Sequence, residues 1–276
     1  MNNRKIWFIT GASKGMGLLL TRTLLSKGFK VAATSRDANQ LINEVGGRSE
    51  QFLPLTTDLR SDESVKTSVD EAAAHFGGLD VIVNNAGFAF VGSLEELSDK
   101  EFRTALDVNL FGAVNVMRNC LPYLRRQKSG HIINISSAGG YVAVANLGSY
   151  AASKYAMVGM TEALAQEVAG FGIRATVLLP GSFRTNFLEE GSLTYTSRPI
   201  SGYDSDKTLQ GMSARSGKQP GNPVKLVAEV IRLANLEYPP VHLILGPDSY
   251  KYIMDKRASD LDEFESYKEI TMSTNL

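Results

Sequence analysis

The sequence predicts an α/β fold: a doubly wound, Rossmann-like parallel sheet of about seven strands with helices on both faces, as a single domain over residues 1–276. Three observations predict it. Short β-rich runs alternate with longer helix-period segments, the pattern of βαβ units. The strand runs are near-continuously apolar, as expected where helices cover both faces of a sheet. A glycine-rich turn, TGASKGMG at 10–17, joins the first strand to the first helix, the place where such sheets hold a dinucleotide.

The elements follow in order. KIWFIT (5–10) reads as a strand and GMGLLLTRTLLSKG (15–28) as a helix ending at Gly28. KVAATS (30–35) is a second strand, and QFLPLTTD (51–58) holds a third. SDESVKTSVDEAAAHFG (61–77) opens with a Ser N-cap and an acidic first turn and stops at Gly77–Gly78. LDVIVNNAG (79–87) is a fourth strand running into a turn, and 98–127 reads as one long helical region. GHIINISS (130–137) is a fifth strand, 149–172 is helical, IRATVLLPG (173–181) is a sixth strand and VHLILGP (241–247) a seventh. Residues 182–222 are polar, rich in Ser and Gly and weakly periodic. A loop that long, directly after a strand's C-terminal end, is expected to be a substrate loop or lid, with a tolerated surface insertion as the alternative. Residues 248–276 read as a C-terminal extension, helical to about Lys268.

Composition narrows the function classes. The 276 residues are 43% hydrophobic and 21% charged, with 29 Lys+Arg against 29 Asp+Glu. That balance offers no basic patch to a nucleic acid. No run approaches the ~18 apolar residues of a membrane span. The first residues hold too few apolar side chains for a secretory signal core, and the terminal STNL matches no retention or peroxisomal tag. A cytoplasmic protein is expected. The one cysteine, Cys120, sits in an apolar helical pattern and reads as a core thiol. Asn134-Ile-Ser136 is formally a glycosylation sequon, but it lies in a strand pattern. His75, His131 and His242 are scattered over separate elements without metal-ligand spacing, so no metal is expected.

The glycine turn and one tyrosine–lysine pair carry the chemistry. Glycine at 11, 15 and 17 lets backbone approach a phosphate closely. The helix start behind it presents free N–H groups and a partial positive charge to that anion. The second strand ends Ser35-Arg36-Asp37. Arg36, with Lys14, suits a 2′-phosphate, so NADP(H) is expected. NAD(H) stays open, because a shifted register would turn Asp37 to the ribose. In GSYAASKYAM (148–157), Tyr150 and Lys154 are four residues apart and share a helix face. A free phenol titrates near pH ~10. A nearby ammonium is expected to lower that value and tune a general acid or base.

Five motifs then fall in order: TGASKGMG, NNAG (84–87), NISS (134–137), YAASK (150–154) and PGSFRT (180–185). With them the sequence resembles the short-chain dehydrogenase/reductases over roughly residues 4–190, with a further echo at LILGPDS. The resemblance implies roles residue by residue. Ser137 matches the catalytic serine, with Ser136 as the alternative; Tyr150 matches the proton donor or acceptor and Lys154 its partner. Asn109 matches an asparagine that holds a water on the proton relay. Gly11, Ser13, Lys14, Gly15, Met16 and Gly17 match the cofactor turn, and Asp58 a residue near the adenine. Asn85, Ala86 and Gly87 match a turn against the ribose. Pro180, Gly181 and Thr185 match the segment over the nicotinamide carboxamide. Tyr150 and Lys154 also count among the cofactor contacts.

The implied activity is reversible hydride transfer between NADP(H) and a ketone or aldehyde/alcohol pair. Phe183, Phe187, Leu188, Leu193 and Tyr195, with Val142, are expected around a moderately apolar small-molecule substrate. The helices at 98–127 and 149–172 resemble those that pair subunits, so a homodimer or homotetramer is expected. Two alternatives remain from sequence: a non-catalytic NADPH-binding sensor, and an NAD-retaining epimerase or dehydratase.

Overall fold

The computed structural model describes residues 5–275; residues 1–4 and Leu276, the ends of the expected domain and of its C-terminal extension, lie outside the described residues. The strands are β1 (Ile6–Ile9), β2 (Lys30–Ser35), β3 (Phe52–Thr56), β4 (Val81–Asn84), β5 (Ala89–Val91), β6 (Gly130–Ile135), β7 (Ile173–Pro180), β8 (Leu193–Tyr195) and β9 (His242–Leu245). Seven of them form one parallel sheet in the order β3-β2-β1-β4-β6-β7-β9. The other two, β5 and β8, pair in parallel as a small separate sheet.

The helices are α1 (Gly15–Ser26), α2 (Ala38–Val45), α3 (Asp62–Phe76), α4 (Asp99–Leu106), α5 (Gly112–Gln127), α6 (Gly148–Val168), α7 (Ser205–Ser213), α8 (Pro223–Leu233), α9 (Pro247–Ser266) and α10 (Lys268–Met272). Successive strand residues point to opposite faces. Trp7, Ile9, Val31 and Val83 therefore pack with Leu20 and Leu24 of α1, Leu41 of α2 and Val227 of α8. Phe8, Ala32, Ile82 and Ile132 pack with Val65 of α3, Val116 of α5 and Met157 of α6. Two buried layers, one on each face, explain why the strands read as unbroken apolar runs. Each fully buried Leu or Ile contributes about 1.5–3 kcal/mol of transfer free energy. Cys120 is fully buried in the second layer, and burial pushes its thiol well above the ordinary range. Asn134, the formal sequon residue, is also buried and is hydrogen-bonded to Asn84 and Thr161.

Four local features differ from the sequence reading. Residues 38–45 form the short helix α2, capped by the Asp37 carboxylate and closed by Gly46 at φ 103°. Residues 223–233 form α8, with an Asn222 cap and Pro223 in its first turn. The long helix at 98–127 is interrupted by a π-turn over Asp107–Phe111. The polar stretch 182–222 is not structureless: it holds a 3₁₀ turn at Asn186–Leu188, β8 and α7.

Strand order reverses between β1 and β4. Ligands bind in the crevice beyond the carboxyl ends of the strands at such a switch point.

Candidate active site

β1 and β4 flank the switch point, so the glycine turn and the NNAG turn meet there. Gly11 sits at φ 64°, and a Cβ on it would lie 2.7 Å from the Ala86 Cα. A Cβ on Gly17 would lie 2.5 Å from the Asn85 amide nitrogen and from the Gly11 carbonyl oxygen. The Asn85 side chain donates to the carbonyls of Thr10 (2.9 Å) and Gly11 (3.0 Å). The Thr10 hydroxyl accepts from the backbone N–H of Asn85 (3.0 Å) and Ala86 (3.2 Å). The two turns are thus sewn together, and only glycine fits between them. α1 begins behind them with no side-chain cap and no acidic residue in its first turn. Its free N–H groups and dipole are left for an anion.

Lys14 and Arg36 line the same end of the cleft. Burial and then the Arg36 charge push the Lys14 ammonium below its ordinary pKa, while Glu189 acts the other way. Asp37 is spent elsewhere: its carboxylate accepts from the backbone N–H of Asn39 (2.8 Å) and Gln40 (3.3 Å) as the cap of α2. Asp58 also lines the cleft, and the Arg60 guanidinium holds its carboxyl below the usual range through hydrogen bonds of 2.9–3.0 Å.

At the far end stand Ser137, Tyr150 and Lys154. β6 delivers Ser137 and the first turn of α6 delivers Tyr150. A Cβ on Gly139 would lie 3.2 Å from the Tyr150 ring and 3.4 Å from the Ser137 Oγ, so this glycine lets phenol and hydroxyl share one wall. Ser136 spends its hydroxyl on the Lys154 carbonyl (2.9 Å), and Gly140 leaves room for that bond. The Ser137 oxygen accepts from the Gly139 N–H (3.0 Å), and its hydroxyl faces the Tyr150 phenol.

Lys154 is buried, and its ammonium donates to the Ile135 carbonyl (2.8 Å) with no carboxylate partner among the described residues. Burial brings it down to about 8. The sequence reading expected this ammonium to lower the phenol's pKa. In the structure Lys154 Nζ lies 5.7 Å from the Tyr150 ring centroid and is directed at Ile135. Burial dominates instead and raises the Tyr150 phenol, with the Ser137 hydroxyl opposing the rise.

Of the sequence-derived site residues, Ser13, Gly15, Met16, Ala86, Gly87, Pro180, Gly181 and Thr185 line the cleft with those already placed. Gly17 and Asn109 stand one layer beneath it. Asn109 is fully buried in the π-turn. Its amide accepts from the Phe88 N–H (3.0 Å) and donates to the Phe88 carbonyl (2.9 Å) and the Ser153 hydroxyl (3.1 Å). Among the apolar candidates, Val142, Phe183, Phe187 and Leu188 line the cleft. Leu193 and Tyr195 lie in β8 behind them, and the Phe187 ring packs on Tyr150 at 5.6 Å between centroids.

Sequence reasoning missed Gly139, Met212 and Asp248. Asp248, at the start of α9, accepts from the Ser182 N–H (2.7 Å) and so holds the turn after β7. The LILGPDS echo was its only signal.

The cleft has a volume of about 1170 Å³ and runs from Arg36 to Tyr150. A glycine cradle, an uncapped helix start and two cations at one end fit a nicotinamide dinucleotide.

Known proteins resemble this chain in sequence and in fold. The family model described as short chain dehydrogenase matches residues 5–195. An oxidoreductase of Botryotinia fuckeliana is 38% identical over 251 residues, covering 90% of this chain and 91% of that protein. A 3-ketodihydrosphingosine reductase of Bacteroides thetaiotaomicron is 33% identical, covering 88% of each. The crystal structure of a short-chain dehydrogenase from Streptomyces avermitilis has a TM-score of 0.89 at 31% identity, covering 98% of this chain and 100% of that one. On the family match over residues 5–195, the identity to these relatives and the likeness of fold, the chain belongs to the short chain dehydrogenase family and is an oxidoreductase.

Proposed function

We propose that the chain is an NADP(H)-dependent carbonyl reductase, working reversibly as an alcohol dehydrogenase on a neutral, moderately apolar ketone or aldehyde. The observation that carries this reading is one cleft with Lys14 and Arg36 at one end and Ser137, Tyr150 and Lys154 at the other. The NADP(H) preference rests on those two cations and on the commitment of Asp37 to capping α2. Among structural neighbours, an alcohol dehydrogenase of Thermococcus sibiricus, 26% identical with a TM-score of 0.69, was solved with 5-hydroxy-NADP. A 3-ketoacyl-(acyl-carrier-protein) reductase of Brucella melitensis, 25% identical with a TM-score of 0.72, was solved with NADH.

When bound, the nicotinamide supplies the hydride. The chain supplies the rest. Ser137 donates a hydrogen bond to the substrate oxygen, where negative charge develops. Tyr150 gives its proton to that oxygen. The burial that raises its pKa keeps the phenol protonated at neutral pH, the form carbonyl reduction needs. Lys154, still mostly charged at neutral pH, stabilises the phenolate left behind. Asn109 acts from beneath by fixing Phe88 and Ser153 against the first turn of α6.

On this reading residues 182–222 are the substrate loop of a single catalytic domain, and the segment after β9 extends it. Phe187, Met212 and Val142 give the substrate an apolar wall. The open groove between α5 and α6, lined by Val114, Leu121 and Met160, supports assembly into a homodimer or homotetramer through those helices.

The test is oxidation of NADPH and of NADH over a panel of ketones and aldehydes, wild type beside Tyr150→Phe. NADPH consumption by wild type and its loss in Tyr150→Phe are expected. Preference for NADH overturns the cofactor assignment. NADPH binding without turnover on any panel member moves the sensor reading to first place.

A further inference from the structure

The substrate loop is held by a buried carboxylate. Glu96 lies between β5 and α4, is fully buried, and has no Lys, Arg or His partner among the described residues. Its oxygens accept instead from three segments. Oε2 takes the Ser93 N–H at 2.7 Å; Oε1 takes the Ile200 N–H at 3.0 Å and the Ser205 hydroxyl at 2.8 Å. Ser93 belongs to the body of the protein, whereas Ile200 and Ser205 belong to the substrate loop. Glu96 adds a fourth tie through its own carbonyl, which accepts from the Thr196 hydroxyl at 2.9 Å.

An unpaired buried carboxylate persists only where donors replace its lost water. Here the donors come mostly from the loop, so loop docking and carboxylate solvation are one event. Burial alone would raise this carboxyl; the backbone N–H groups of Ile200 and Ser93 and the Ser205 and Ser93 hydroxyls outweigh it and hold the group at about 2.

The docked loop reaches the chemistry through named contacts. β8 pairs with β5 in the register Ala89–Leu193, Phe90–Thr194 and Val91–Tyr195. Tyr195 shares a hydrogen bond of 3.1 Å with Ser205, one of the Glu96 donors. Leu193, Tyr195, Phe187 and Met212 pack in one cluster with Leu147 and Tyr150. β5 begins just after Phe88, whose backbone Asn109 holds on both sides. Release of the 193–205 segment would take Leu193 and Tyr195 out of the cluster that backs Phe187 and Met212, while Glu189 and Gly191, the loop residues beside Lys14, lie outside that segment.

The geometry points to Glu96 as the pin that holds the 193–205 segment closed over the Tyr150 end of the cleft, a positioning residue for substrate binding that touches neither substrate nor cofactor. The substrate role rests on the carbonyl-reductase reading; the pin itself does not.

Three measurements on the full-length chain test it: amide hydrogen exchange, NADPH titration by cofactor fluorescence, and steady-state kinetics with acetophenone and 2-decanone as neutral apolar probes. The variants are Glu96→Gln, which turns an N–H donor toward existing donors, and the milder Ser205→Ala and Tyr195→Phe, which carry the test if Glu96→Gln does not fold. In Glu96→Gln, exchange over 193–205 is expected to accelerate about tenfold or more with β6 and β7 unchanged. KM should rise about fivefold or more against a smaller change in kcat, with the NADPH Kd within about twofold of wild type. Ser205→Ala should show the same pattern more weakly.

Wild-type exchange over 193–205 in both Glu96→Gln and Ser205→Ala overturns the pin. So does acceleration spread equally over β6 and β7 with weakened NADPH binding, which marks Glu96 as general support. Faster loop exchange at unchanged KM overturns the substrate role. If wild type reduces neither ketone nor any other panel member, the reductase reading fails and the substrate role fails with it, and exchange alone then decides the pin.

Discussion

Replacing Arg36 with alanine is expected to weaken NADPH binding while leaving NADH binding nearly unchanged. Arg36 and Lys14 line the cleft, and among the described residues neither has a hydrogen-bond or salt-bridge partner on the protein. The Arg36 charge already depresses the Lys14 pKa, so the two ammonium and guanidinium groups face one volume that an anion would neutralise. A hydrogen bond to a charged partner is worth about 1.5–3 kcal/mol. Both side chains are exposed, which favours the lower end, about 1.5–2 kcal/mol or roughly 10- to 30-fold in Kd. Lys14→Ala is expected to weaken NADPH similarly, and the double variant more than either single one. The assay is fluorescence or calorimetric titration with NADPH and NADH at low and high salt. The NADPH advantage should narrow at high salt, because exposed charges are screened beyond about 10 Å at 0.1 M. Asp37→Ala is the control: it removes the cap of α2, costs about 1 kcal/mol of stability, and leaves cofactor discrimination where it was. Equal losses for both cofactors in Arg36→Ala, or a shift in discrimination in Asp37→Ala, would refute the reasoning.

Other outcomes are expected from the same structure. Lys154→Met should abolish turnover yet raise the melting temperature of the cofactor-free protein, because a buried ammonium lowered to about 8 opposes folding below that pH and the cost disappears with the charge. Carbonyl reduction by wild type should decline above about pH 8 as Lys154 loses its proton, read from kcat against pH. Glu96 is depressed from 4.5 to about 2, so its contribution is complete above pH 4.5 and is lost as pH falls toward 2; cleavage by pepsin within 197–204 should rise through that window while the sheet remains protected. Gly140→Val should abolish activity with partial loss of stability, since even a Cβ would lie 2.5 Å from the Ser136 Oγ and 2.9 Å from the Lys154 carbonyl. Sedimentation equilibrium should find a dimer or tetramer that Met160→Glu, in the groove between α5 and α6, dissociates.

Much of the site was legible in the sequence, for local reasons. A strand buried on both faces must be apolar along its length, so the seven sheet strands stood out as runs. The glycine turn was visible because Gly11 needs φ 64° and Gly17 tolerates no side chain. The spacing of Tyr150 and Lys154 follows from helix geometry alone. Short elements were less legible. α2 has eight residues and only Leu41 buried, and β5 and β8 have three residues each, too few to establish a period.

The sequence by itself determined the doubly wound sheet and the glycine turn, because each depends on periodicity or spacing within one stretch of chain, and its five motifs carried the resemblance that singled out the candidate reacting side chains. The tertiary structure alone decided how those side chains behave. Asp37 became a helix cap because β2 ends where α2 begins. Asn109 was drawn beneath the cleft by a π-turn and spent on Phe88 and Ser153. Tyr150 was raised rather than lowered because burial outweighs the Ser137 hydroxyl, while Lys154 is directed at the Ile135 carbonyl. Glu96, an ordinary acidic residue in the sequence, became a buried pin because donors more than a hundred positions away converge on it. Desolvation and long-range hydrogen bonding depend on which distant segments surround a group, and only the folded chain brings those segments together.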